Sequence, residues 1–363
     1  MTGGDFLRTR CRLLLLILTA LLLPGPRARA EGFVLPSALE SIGSGAFEGC
    51  PVQELTLPAG VTSVPSDAFL DTDDPLWVHA AQSDAALALL RDGIDVDAGT
   101  VRRALIVAQT YPGTRWELTG PVGDERAMTG LLTHLARTGY QVTVLHNLSA
   151  DGIAAGIRSV FQDAGDYDIS LFYYSGHGVE GGCLMGIGGT EDTLAPARLR
   201  GILDTVPGRK VLIVDACFSG ALIGNDRVTD AAGLPQTPAG FNAGLLSAFS
   251  GKRLRSAGGQ TGRYYIMTAA SAAEYSEEND ISVDYGGVTG TGAFGLFTYS
   301  LCRGSGWEAV HARRVSPQAD TDENGVVSFA EAFRFAKINA AIMNPYQNAQ
   351  SNCPDETAFS PFR

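Results

Sequence analysis

Tyr173-Tyr-Ser-Gly-His-Gly178 and, further on, Asp215-Ala-Cys-Phe-Ser-Gly220 decide the reading of this chain. Each stretch follows a run rich in β-formers: Ile169-Ser-Leu-Phe172 before the first, Val211-Leu-Ile-Val214 before the second. Each then breaks into glycine, as a strand does where it turns into a loop. His177 and Cys217 therefore emerge at the tips of two strands, where an open α/β sheet carries its chemistry.

The flanks repeat the theme. Ala104–Ala108, Val142–Leu145 and Tyr264–Thr268 read as further buried strands. Glu125–Thr138 predicts an amphipathic helix with Met128, Leu131, Leu132 and Leu135 on one stripe. Ser149–Phe161 predicts another, with Ile153, Ile157 and Val160 inward, and a third lies around Ala195–Asp204. Strands that alternate with helices imply a mostly parallel sheet covered on both faces, an α/β architecture.

A cysteine nucleophile must become a thiolate, and a neighbouring histidine is the usual means. Glycines at 176, 178 and 220 leave space for a substrate backbone. The N–H groups of Gly178 and Cys217 are the candidate oxyanion hole, where one donor contributes about 2.7–4 kcal/mol. The bland alternatives are a buried core cysteine and a loop histidine. No C-x-x-C or H-x-x-x-H pair occurs, so zinc has no motif.

In order and spacing the two boxes resemble the catalytic boxes of the caspase/metacaspase-like cysteine peptidases. The similarity covers roughly residues 102–310 and includes Ala195-Pro-x-x-Leu199 and Thr268-Ala-Ala-Ser271. It implies a caspase-like three-layer αβα sandwich, with His177 as general base and acid, Cys217 as nucleophile, and a protein or peptide substrate. In metacaspases an aspartate two residues before the cysteine lines an acidic S1 pocket that selects Arg or Lys, and Asp215 matches it. A carboxylate capping backbone amides is the alternative for Asp215. The family's Asp-Asp-Gln segment is replaced by Ser271-Ala-Ala-Glu274-Tyr-Ser276, which makes Ser271 and Glu274 the expected pocket partners. The Gly224–Arg263 insertion, with Arg227, Lys252, Arg253 and Arg255, reads equally as a self-cleavage site or an uncut loop. A legumain-like transpeptidase would use the same dyad, and a surface binding protein would use the domain as a passive scaffold.

At 363 residues the length suits two or three domains. The divisions expected are a leader at 1–30, a repeat module and linker at 31–100, the caspase-like domain at 101–310, and a C-terminal calcium-loop segment at 311–363 packed on it. In the leader, Arg8, Arg10 and Arg12 precede the apolar run Leu13–Leu23, and Ala28-Arg-Ala30 supplies a cleavage site. That run falls short of the roughly 20 residues a bilayer span needs. The chain is thus expected to be exported, extracellular or cell-surface, and bacterial in type. Net charge is −12 with Lys only at 210, 252 and 337, which excludes nucleic acid as a partner. Five cysteines (50, 183, 217, 302 and 353) follow the leader, so at least one is free, and a Cys302–Cys353 bridge is conceivable.

Leu35-Pro36, Leu39, Ile42 and Ala46-Phe47 recur at a shift of 22 as Leu57-Pro58, Val61, Val64 and Ala68-Phe69. The Ile42-Gly-Ser-Gly-Ala-Phe47 core resembles bacterial surface leucine-rich repeats. Such a module is either a small structural prodomain or a surface through which the chain associates with cells. Asp320-Thr-Asp322-Glu-Asn324-Gly-Val326-Val-Ser328-Phe-Ala-Glu331 matches an EF-hand loop: oxygens at Asp320, Asp322, Asn324 and Ser328, a carbonyl at Val326, and a bidentate Glu331. A helix is expected to follow it but none to enter it, so the resemblance is to single dockerin-like loops with a structural Ca2+. An Asp-rich turn capping a helix is the alternative.

Overall fold

Runs that are apolar at nearly every position become strands buried on both faces. The computed structural model describes residues 33–50, 52, 54–65, 67–69, 76–92, 94–134, 139–219, 264–352 and 359–362. The leader, the Gly224–Arg263 loop and Cys353 lie outside these residues. Two compact units divide between Thr100 and Val101. Among the described residues, no helix is long and apolar enough to cross a membrane.

In the first unit, β1 (Phe33–Val34), β2 (Glu54–Thr56) and β3 (Trp77–His79) stack in parallel and in sequence order. The 22-residue shift is a spatial register: Ser41 bridges Ser63, and the Phe47 and Phe69 rings stack 5.2 Å apart. Helix α1 (Asp84–Asp92) starts at Ser83, whose hydroxyl accepts from the Ala86 amide at 3.2 Å. The expected linker after it instead holds β4 (Asp95–Asp97), a fourth parallel rung beside β3. Leu55, Val78 and Val96 form one fully buried column across the rungs. Asp-Val-Asp is too short an alternation to stand out in the sequence.

In the second unit, β5 (Arg102–Ala108) leads into α2 (Gly120–His134), β6 (Gln141–His146) and α3 (Ala150–Phe161). Next come β7 (Ile169–Ser175), a small sheet of β8 (Gly178–Val179), β9 (Cys183–Met185) and β10 (Thr193–Leu194), then α4 (Pro196–Leu203). They are followed by β11 (Arg209–Asp215), β12 (Tyr264–Thr268), the hairpin β13 (Glu278–Tyr285) and β14 (Val288–Gly295), and α5 (Leu296–Gly304). A two-rung ribbon, β15 (Trp307–Glu308) and β16 (Arg313–Arg314), precedes α6 (Phe329–Met343) and the edge strand β17 (Gln350–Ser351).

The main sheet runs β17-β12-β11-β7-β5-β6, parallel except for β17. Alternate residues of its strands feed two cores, as a pleated sheet requires. Ile106, Leu171, Tyr173 and Ile213 meet α2, α5 and α6; Leu105, Phe172, Leu212 and Val214 meet α3 and α4. That is the three-layer sandwich.

Two elements differ from expectation. Helix α2 begins at Gly120, not Glu125: Pro121 suits a first turn, and the Glu278 carboxylate caps the helix by accepting from the amides of Thr119 and Gly120. The β13–β14 hairpin was not expected, because half of its residues are exposed and no apolar face marks it. Its turn, Gly286-Gly287, has φ of +60° and +82°, the backbone a two-residue type I′ turn demands.

Candidate active site

β7 and β11 are neighbours in register, Ser175 opposite Asp215, so their tips leave the sheet together. Gly176 extends the pairing by donating its N–H to the Asp215 carbonyl at 3.2 Å. His177 and Cys217 line one open cleft. A Cβ at Gly178 would overlap the Cys217 carbonyl oxygen, so glycine there is what allows the two tips to touch. Met185 N–H bonds the His177 carbonyl, which leaves Gly178 and Leu184 opposed as a non-hydrogen-bonded pair. The Gly178 N–H is therefore outside the β8–β9 ladder.

His177 is held on every side. Its N–H donates to the Tyr111 hydroxyl at 3.1 Å, and the Tyr174 hydroxyl lies 2.8 Å from its carbonyl. The Tyr111 ring lies 5.0 Å from the imidazole. Burial pushes the Tyr111 phenol up to about 12, so it stays a neutral brace. The imidazole Nε2 sits 2.9 Å from the Trp116 carbonyl. A carbonyl only accepts, so Nε2 carries the proton and Nδ1 of the neutral ring is a free base. Trp116 in turn packs on Gly189, which has φ +87° and no room for a side chain.

Cys217 is partly buried, and its thiol donates to the Ser276 carbonyl at 3.6 Å. Burial, with Asp215 and Glu277 nearby, pushes the thiol's pKa up. Phe218 follows at φ +56°, a strained left-handed conformation of the kind that gathers at functional sites. Its amide donates to the Glu274 carbonyl at 2.8 Å.

Beyond Cys217 the cleft turns acidic: Asp124, Asp215, Glu277 and Glu278 line it, with no Lys or Arg among the lining residues. Asp215 Oδ2 accepts from the Thr298 amide (3.0 Å) and hydroxyl (2.7 Å), capping α5, while Oδ1 accepts from the Ser276 hydroxyl. Asp124 accepts from the Ser175 hydroxyl (2.7 Å) and the Gly295 amide (2.9 Å). Both carboxylates are buried and neither has a cationic partner among the described residues. Burial first, then the charge of Asp215 and Glu278, holds Asp124 well above the carboxylate range. Burial also raises Asp215, against the pull of its Ser276 and Thr298 hydrogen bonds. A Cβ on Gly295 would overlap Asp215 and come within 3.0 Å of Asp124.

The caspase domain model matches residues 101–311, more than half of the chain. The chain belongs to the caspase domain family. Metacaspase-4 of Arabidopsis thaliana is 28% identical over 145 residues, which is 34% of this chain and 34% of that protein. The chain thus spans about a third of that relative's length. Among solved structures, caspase-1 from Spodoptera frugiperda is 17% identical and covers 56% of this chain and 69% of its own, with a TM-score of 0.35.

Within the caspase domain, two expected pocket residues are elsewhere. Ser271 is buried and Glu274 faces away: its carboxylate accepts from the Ser271 amide and from both the amide and side chain of Asn348. Neither lines the cleft. Their places are taken by Ser276, Glu277 and Glu278, two to four residues beyond Glu274, and by Asp124 from α2. Asp124 had a readable signal: it is in phase with the Met128 and Leu131 stripe, where an acid is buried by its helix. Cys302 carries a free thiol against the Met128 sulfur, and its suggested partner Cys353 is outside the described residues.

Past the family match, the loop after β16 closes on itself. Carboxylate oxygens of Asp320, Asp322 and Glu331 lie within 4.8 Å of one another. Gly325, at φ +85°, donates its amide to Asp320 Oδ2 at 2.9 Å, while buried Oδ1 has no partner among the described residues. Asn324 Oδ1 accepts from the Val326 amide. Ser328 and Glu331 form a reciprocal capping box on α6. Burial opposes the ionised Glu331, but hydrogen bonds from Ser328 and Thr321 outweigh it and lower its pKa.

Proposed function

We propose that this chain is a cysteine endopeptidase that hydrolyses the peptide bond following Arg or Lys. One observation carries the reading: the dyad cleft runs into two buried carboxylates that have no cationic partner among the described residues. A guanidinium or ammonium at P1 supplies the missing charge, and leaving such acids unpaired is costly. His177 Nδ1 takes the Cys217 proton, and the thiolate attacks the carbonyl. The Gly178 and Cys217 amides hold the oxyanion, His177 protonates the leaving amine, and water then hydrolyses the acyl-enzyme. A digest of peptides that differ only at P1 tests it. Arg and Lys are expected to exceed Gln by about a hundredfold, the scale of a desolvated charge pair; cleavage after Asp would end the reading.

The Asp320–Glu331 loop is the proposed structural calcium site. The side chains of Asp320, Asp322, Asn324 and Ser328, the Val326 carbonyl and both oxygens of Glu331 would hold the ion. The orphan oxygen of Asp320, the glycine at the sixth position and the three converging carboxylates support this reading. Calcium at a hundred times its Kd should stabilise the protein by about 2.7 kcal/mol, read as a higher melting temperature than in chelator. Asp320→Ala should abolish that difference. Identical melts of the wild type with calcium and with chelator would remove the site.

The arginine-flanked apolar leader supports export to the cell surface or beyond, and the stacked 22-residue repeats support a leucine-rich-repeat module suited to surface association. N-terminal sequencing of surface-fraction protein should begin at Glu31. Protein that retains Met1 inside the cell would overturn export.

A further inference from the structure

Ser276 touches both halves of the site at once. Its backbone carbonyl accepts the Cys217 thiol at 3.6 Å, and its hydroxyl donates to Asp215 Oδ1. The residue is strung between fixed points. On one side the Glu274 carbonyl takes the Phe218 amide at 2.8 Å, and the Glu274 carboxylate is tied to Asn348. On the other, the Glu277 amide donates to Gln347 Oε1 at 3.0 Å.

Asp215 Oδ2 accepts twice from Thr298, so Oδ1 is the oxygen left for a ligand, and Ser276 takes one of its two acceptor sites. A hydrogen bond to a charged donor is worth roughly twice a neutral one, so a guanidinium that turns two N–H groups onto Oδ1 takes both of its acceptor sites and displaces the hydroxyl. Meanwhile a thiol pointed at the Ser276 carbonyl is not pointed at His177 Nδ1.

We propose that Ser276 is a positioning residue that couples the pocket to the nucleophile. A cation seated on Asp215 frees the Ser276 hydroxyl, the segment shifts, and the Cys217 thiol is released towards His177. The inference rests on the proposed roles of Cys217 and Asp215, and it adds that a basic side chain speeds the chemical step as well as binding.

Iodoacetamide labelling of Cys217, followed by peptide mass mapping, reads the latch without turnover. Methylguanidine stands in for the P1 group. In the wild type it should accelerate labelling by about two- to tenfold, the range one neutral hydrogen bond sets. Ser276→Ala should label at the raised rate without methylguanidine and gain nothing from it, whereas Ser276→Thr should behave like the wild type. With peptides, Ser276→Ala should shrink the gap in kcat between Arg and Gln substrates and leave the gap in KM. The latch is overturned if methylguanidine leaves wild-type labelling unchanged or slows it, or if Ser276→Ala labels like the wild type. A protein that labels as expected but cleaves no peptide refutes the peptidase instead.

Discussion

Cys217→Ala should abolish peptide cleavage, with kcat falling by about 10⁶, the loss seen when a nucleophile is removed from a catalytic unit whose members act together. The melting temperature should barely move, because the change deletes one sulfur from a partly buried position where the thiol makes a weak bond to the Ser276 carbonyl. Cys217→Ser sharpens the test, since the hydroxyl keeps the shape and the hydrogen bond but resists ionisation. Residual turnover within tenfold of wild type in either variant would remove Cys217 from the mechanism. The raised thiol pKa adds a pH signature. A free enzyme that stores its proton on sulfur alkylates faster as pH rises from 7 towards and beyond the ordinary thiol range of about 8.5. A flat labelling rate from pH 6 to 9 would instead mean a resting thiolate.

Asp215→Asn should cut kcat/KM for Arg peptides by about 2–5 kcal/mol, or roughly thirtyfold to several thousandfold, and leave Gln peptides within a few fold. The amide still offers an oxygen to Thr298, so the α5 cap survives and the loss belongs to the charge. The same pair governs pH. With both carboxylates raised by burial, the free enzyme holds a proton that ordinary carboxylates have given up. As pH falls through those raised values, kcat/KM for Arg peptides should fall while Gln peptides serve as the flat control. Stability follows from the same inventory. The folded state binds more protons than the unfolded one between about pH 4 and the raised values, so these two groups make the free enzyme less stable as pH rises across that window. Asp124→Asn should flatten the trend and raise the melting temperature near neutrality. Melts in which this variant tracks the wild type at every pH would show that Asp124 carries no such strain.

The strands, and the places of His177 and Cys217 at their tips, were legible because buried parallel strands are written as continuous apolar runs that stop at glycine. Val211–Val214 and its neighbours leave no other reading, and the caspase resemblance sits on those same tips. Apart from the helical phase of Asp124, the acidic end was not legible. Asp124 comes from a helix, Asp215 from a strand end, Ser276–Glu278 from the root of a polar hairpin, and Gly295 from the returning strand, where it pairs with Glu278 at that same root. No sequence spacing joins them; only the fold does. Glu274 is the acid of the segment that stands where the family has Asp-Asp-Gln, yet its carboxylate serves Asn348 while its carbonyl steadies Phe218. Trp116 was invisible for a different reason. It acts through a carbonyl that any residue would supply, while its ring packs on Gly189 and under the Arg115 guanidinium.

Gly295 sits at φ −61°, a conformation open to every amino acid, so its backbone imposes no demand for glycine. What forbids a side chain is the space between the two acids. A relative with alanine or serine at this position could keep the sheet, the dyad and the α5 helix while its cleft is stoppered. The position therefore works as a label: the residue found there sorts caspase-domain chains into those with room between the two acids and those without it, before any substrate is tried.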